Sequence, residues 1–170
     1  VLLFAGTFWF GYLKRDISGP SITMDSDTIE ISVNDDETSI LQGVTAQDDK
    51  DGDVTASLVV ESLSHFVETG ERIASIVAFD SDNHITKVNR IVRYTDYVRP
   101  HFSLSAPLSI SVGSNASLVT SNLSATDCLD GNISRRIRRA NAGDSVFNAD
   151  VPGIYQMEFL VSNDAGDTEK

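Results

Sequence analysis

From position 28 the chain alternates apolar and polar residues, Thr28-Ile-Glu-Ile-Ser-Val33, the period of a strand with one buried face. The stretch from Leu104 to Val112 alternates likewise and sets Leu108, Ile110 and Val112 on one side. Val54, Leu58 and Val60 follow one Asp-Gly turn, and Ile133 and Ile137 follow a second. Ile73, the run Ile76-Val-Ala-Phe79, Ile85, Val88 and Ile91-Val92 predict later strands, as does Tyr155-Gln-Met-Glu-Phe-Leu-Val161. No stretch sustains a 3.6-residue apolar period bounded by caps. Short strands between Asp, Asn, Gly and Ser turns predict an all-β protein.

The pattern is written twice. Asp16-x-x-x-Pro20 recurs as Asp96-x-x-x-Pro100. Ala46-Gln-Asp48-Asp-Lys-Asp51-Gly52-Asp53-Val54-Thr55 recurs as Ala125-Thr-Asp127-Cys-Leu-Asp130-Gly131-Asn132-Ile133-Ser134. A weaker third pair is Val77-Ala-Phe-Asp80-Ser-Asp-Asn83 with Leu160-Val-Ser-Asn163-Asp-Ala-Gly166. Three matches in one order predict two copies of a module of about 80 residues. Residues 16–98 and 99–170 are the expected immunoglobulin-like β-sandwich modules, each small but able to close its own core. Copy two stops soon after its third landmark, so a last strand is expected from a continuing chain or from another chain.

Residues 1–15 differ. Val1 to Leu13 carries no charge and runs into Lys14 and Arg15. It is shorter than the roughly 20 apolar residues of a full span. Because the chain begins with Val, it reads as the tail of a signal-anchor helix, with Trp9 and Tyr12 suited to a membrane interface. A signal-peptide core or a buried strand are the other readings.

Composition removes several functions. A formal net charge of −12 argues against nucleic acid, which needs clustered Lys and Arg. One cysteine, Cys128, excludes an intrachain disulfide. His65, His84 and His101 fit no zinc spacing. Nothing resembles a positioned nucleophile and base or a Gly-rich phosphate loop, so no enzyme is expected. Cys128 lies inside the second turn segment and reads as a small side chain there.

The two Ala-x-Asp-x-x-Asp-Gly-(Asp/Asn)-(Val/Ile)-(Thr/Ser) segments, with the Pro junctions and late turns, resemble bacterial immunoglobulin-like surface-protein repeats. More loosely they resemble hyalin-repeat and cadherin-like modules. The resemblance covers nearly all of 16–170. It implies tandem extracellular modules that hold a functional head away from a cell or bind a protein or glycan on a host or neighbouring cell. Copy two keeps the family's Gly-x-Tyr as Gly153-Ile-Tyr155, whereas copy one has Gly70-Glu-Arg-Ile73.

Two sets of residues are candidate sites. Cadherin-like modules hold calcium on junction aspartates, and calcium takes six to eight oxygens. Asp48, Asp51, Asp53, Asp80, Asp96, Asp127 and Asp130 are therefore candidate calcium ligands, with Asp82 nearby. The competing reading makes them turn-builders, since Asp before Gly bonds its own backbone; their order is not that of an EF-hand. The second set is Arg135, Arg136, Arg138 and Arg139. It is either a solvated edge strand, where charge blocks stray pairing, or a patch for a cell-wall polymer or acidic neighbour. The expected role is a stalk or adhesion region anchored at the surface. The alternatives are an accessory carbohydrate-binding region, with Tyr94 and Tyr97 as the candidate sugar platform, and a sensor ectodomain.

Overall fold

A computed structural model describes residues 17–140 and 147–170, so the segment 1–15 and its anchor reading lie outside the described residues. The described residues are all-β, with strands joined by 3-10 turns, and they divide into two compact units. The first runs up to Ser64 and takes in Glu71–Arg93; the second joins His65–Gly70 to Tyr94–Lys170. Among the described residues no helix is long and apolar enough to cross a membrane.

The first unit holds two sheets. Strand β3 (Val44–Asp48) lies between β1 (Ser21–Met24) and β4 (Gly52–Asp53). The second sheet runs β2 (Thr28–Ile31), β7 (Ile85–Tyr94), β6 (Glu71–Phe79), β5 (Val59–Leu63). Period-two alternation explains which side chains leave water. Val44, Ala46 and Asp48 of β3 are buried, as are Ala74, Ile76 and Ala78 of β6. Ile40, in the 3-10 turn Glu37–Leu41, and Ile76 are 1% and 0% exposed, each worth about 2 kcal/mol of burial. Arg90 on β7 is buried among them, and its Nη1 donates to the carbonyls of Ile40 at 2.8 Å and Gln42 at 2.6 Å. Burial lowers its pKa against the opposing pull of Asp25 and Asp27. The arginine thereby ties the 3-10 turn to the middle strand of the larger sheet.

Among the described residues the second unit repeats the smaller sheet and part of the larger. Strand β9 (Leu123–Asp127) lies between β8 (His101–Leu104) and β10 (Gly131–Asn132), as β3 lies between β1 and β4. Strand β12 (Phe159–Ser162) joins β11 (Arg138–Arg139) to β13 (Thr168–Glu169). Ala125, Ile133 and Val161 form the core, with Phe102 and Ile137 against it. The junction prolines Pro20 and Pro100 are fully buried in their respective units.

Three expectations change. The alternating stretch 104–112 forms a strand only to Leu104, and Tyr155 to Glu158 lie outside any strand. Alternation makes a strand only where a neighbour pairs with it: in the first unit β2 has β7, whereas β13 reaches only Ser162 and Val161 of β12. Each Asp-Gly turn leads first into a 3-10 turn, Thr55–Ser57 or Ser134–Arg136. Arg135 to Arg139 therefore do not form one alternating strand; only Arg138 and Arg139 are in β11.

Candidate functional site

The repeated aspartate segment is one hydrogen-bonded device, built the same way in both units. Asp48 Oδ1 accepts the N–H groups of Lys50 and Asp51 at 2.8 and 2.9 Å. Asp127 Oδ1 accepts those of Leu129 and Asp130 at 2.9 and 3.0 Å. This is the self-capped turn that an aspartate side chain makes two residues ahead. It delivers the chain to Gly52 and Gly131, whose φ values of 76° and 68° lie where a Cβ is strained. Asp53 then accepts from Thr55 N–H, and Asn132 from Ser134 N–H. The hydroxyls of Thr55 and Ser134 return to β3 and β9, accepting from Ala46 and Ala125 N–H at 3.0 Å. Every conserved-in-copy polar position thus has a structural bond.

The remaining aspartates bring in the late turn. Asp51 accepts the Ser81 N–H at 2.7 Å and its hydroxyl at 2.9 Å; these bonds hold its carboxyl below the usual range. Asp130 accepts the Asp164 N–H at 2.7 Å in the same manner. Asp80 and Asn163 anchor those late turns: Asp80 Oδ1 accepts from His84 N–H and Asn163 Oδ1 from Asp167 N–H, each at 2.8 Å.

Here the two units part. Asn163 Nδ2 donates to Asp127 Oδ2 at 3.1 Å and to the Tyr97 hydroxyl at 3.0 Å. Tyr97 in turn donates to Asp167 at 2.9 Å, and Arg99 grips that carboxylate with Nε and Nη2 at 3.1 and 2.8 Å. Burial first, and the Asp167 carboxylate second, push the Tyr97 phenol up, while Arg99 holds Asp167 down. In the first unit the amide is replaced by a carboxylate. Asp80 Oδ2 takes the His84 ring at 2.7 Å, and Asp48 Oδ2 is buried with no hydrogen-bond partner. Burial raises the Asp80 carboxyl, but the His84 and Asp82 bonds outweigh it and hold it below its ordinary value.

The structure therefore brings Asp48, Asp51, Asp80 and Asp82 to one end of the first unit, with Lys50 paired to Asp82. Asp53 turns to its own loop. Asp127 and Asp130 are the matching pair in the second unit, to which Asp96 also belongs. Among the described residues no three acidic, His or Cys side chains converge as a metal-holding group. Of the arginines, Arg136 bonds Asp130 at 2.5 Å and Asp164 at 3.0 Å, tying the two turns together. Arg135, Arg138 and Arg139 are exposed. Cys128 Sγ donates to the Val98 carbonyl at 3.1 Å and accepts its N–H at 3.3 Å, a structural role. Tyr94 and Tyr97 are half-buried beside Phe66, with ring centroids 6.4 and 4.6 Å away.

Sequence reasoning missed the Tyr97–Asn163–Asp167–Arg99 network. The signal was present, since Asn163 stands at the place of Asp80, but its partners come from distant positions.

Fold and motif define a class: an all-β protein of two units with one turn framework in duplicate. No protein-family model and no curated protein matches the chain. Among solved structures it is similar to one described as CBM51-2 in complex with GlcNAc and INT domains from Clostridium perfringens ZmpB. The two are 18% identical with a TM-score of 0.36, over 88% of this chain and 25% of that one.

Proposed function

We propose that this chain is a non-catalytic pair of immunoglobulin-like β-sandwich modules, serving as a stalk or adhesion region of a bacterial surface protein. The observation that carries the reading is the duplicated aspartate framework. Its carboxylates are occupied in holding turns, in two units that each bury their own apolar residues. A repeat whose polar landmarks are structural suits a spacer, because its length and stiffness come from the folding unit itself. Tyr94 and Tyr97, half-buried among other rings, favour this role over a sugar-binding platform. The segment 1–15 would anchor the modules at the membrane. Partners would be a protein or glycan on a host or neighbouring cell, or a cell-wall polymer.

The test is mechanical and biochemical. Stretched by force spectroscopy, the chain should release two increments of similar length, one per unit. A single cooperative release overturns the two-module reading. Immobilised on beads, it should capture cells or wall polymer without altering them. Turnover of the captured material overturns the non-catalytic stalk or adhesion assignment.

A further inference from the structure

Segment 65–70 links β5 to β6, both strands of the first unit, yet it is itself part of the second unit. Its roots are fixed by the β5–β6 hairpin. The Ser64 N–H donates to the Ile73 carbonyl at 2.9 Å, and Arg72 Nε donates to the Ser64 carbonyl at 2.6 Å. Its middle is fixed by the late turn of the second unit, where the Phe66 N–H donates to the Ala165 carbonyl at 2.7 Å. The Phe66 ring packs on Tyr97, 4.6 Å between centroids, and the Tyr97 hydroxyl bridges Asn163 and Asp167. Gly70 closes the segment. Its carbonyl accepts the Tyr94 N–H at 2.9 Å, and a Cβ there would meet Tyr97 at 3.5 Å.

The two late turns differ where this segment lies. Both bend through a left-handed residue, Asn83 at φ 66° and Gly166 at φ 87°. In the first copy the bend carries Asp82, its side chain 43% exposed and paired with Lys50, just before Asn83. In the second copy the same places hold Ala165, 3% exposed, and Gly166. A Cβ at Gly166 would lie 3.3 Å from the His65 ring. Asparagine adopts this bend in the first copy, as its short polar side chain allows. Backbone conformation therefore does not demand glycine at 166; room for the covering segment does.

We infer that segment 65–70 is a strap that couples the polar corner of the second unit to the β5–β6 hairpin. While the hairpin holds both ends, the strap meets the late turn as a closed loop, so docking costs little chain entropy. When the hairpin opens, the ends part, the Phe66 ring leaves Tyr97, and the late turn loses its cover. Local opening in one place thereby loosens a bonded network in another. The coupling is reciprocal, so a docked strap also steadies the hairpin. It is built into the second copy alone, because Asp82 and Asn83 leave no such bed in the first.

The experiment follows amide hydrogen exchange in the full chain. Phe66→Ala removes the ring that holds Tyr97, and Gly166→Asn puts the first copy's own residue against the His65 ring. Each should speed exchange at amides 163–167 by about tenfold. Combined, they should do no more than Phe66→Ala alone, since both release one strap. Ile76→Asp, which opens the hairpin from the core of the first unit, should speed the same amides. That response should vanish in the Phe66→Ala background. Unchanged exchange at 163–167 in both single variants overturns the inference, as do fully additive effects in the double variant. A response to Ile76→Asp that persists without Phe66 overturns it too, because the coupling then runs by another route.

Discussion

Among the described residues the first unit has a four-stranded larger sheet and a polar corner with an unbonded oxygen; the second has a three-stranded sheet and a corner with every oxygen bonded. At the corner, Asp127 meets the amide of Asn163 and every oxygen is used, whereas Asp48 Oδ2 is buried and unbonded and Asp80, at the place of Asn163, turns its own Oδ2 to the His84 ring. The lesson is that a duplicated turn can carry an amide at its late position, bonded to the early aspartate, or a carboxylate there, bonded to a histidine. The second arrangement forgoes a hydrogen bond.

The largest effect is expected where the corner is complete. Asp127→Ala removes the acceptor of three bonds and leaves Asn163 Nδ2 short of a partner, so the second unit should lose about 3 kcal/mol. Thermal unfolding followed unit by unit reads this; an unchanged second transition would separate the bonds from stability.

Next comes the swap that makes the first corner resemble the second. By analogy with Asn163, whose amide bonds Asp127, Asp80→Asn should supply a donor for Asp48 Oδ2 while keeping the acceptor for His84 N–H. The first unit should melt about 5 °C higher at neutral pH. A lower melting temperature would show that the His84 contact outweighs the orphaned oxygen.

Acid should act on both corners. Asp167 and Asp80 have folded-state values below the ordinary one, so folding favours their ionised forms. Their stabilisation is complete above the unfolded aspartate value of about 3.9 and fades as pH falls through the depressed values. Asp167→Asn should flatten this acid limb for the second unit alone, which a series of melts below pH 5 resolves.

The smallest change is expected at the arginines. Arg136→Gln breaks an exposed bond pair and should shift melting by less than about 2 °C. Arg135→Gln should be silent. If Arg135→Gln instead abolishes capture of cell-wall polymer at unchanged stability, the patch is a docking surface.

Much of the frame was legible beforehand. The strands predicted from Ile73, Ile76 to Phe79, Ile85, Val88 and Ile91-Val92 form β6 and β7, and the Asp-Gly repeat lands on matching turns. The 3-10 turns at 55–57 and 134–136 were not legible, because three residues are too few to show a period. Nor was the loss of a strand over 105–112, where alternation is present but a pairing neighbour is not.

Sequence alone determined the duplication and the strand-rich character, because turn residues and period-two burial are local properties that each segment carries with it. Tertiary structure alone decided which oxygen of Asp48 is orphaned, that Asn163 reaches Tyr97 across 66 positions, and that Met157 and Phe159 border open space. Those outcomes depend on which distant segments meet, and no local pattern encodes the meeting.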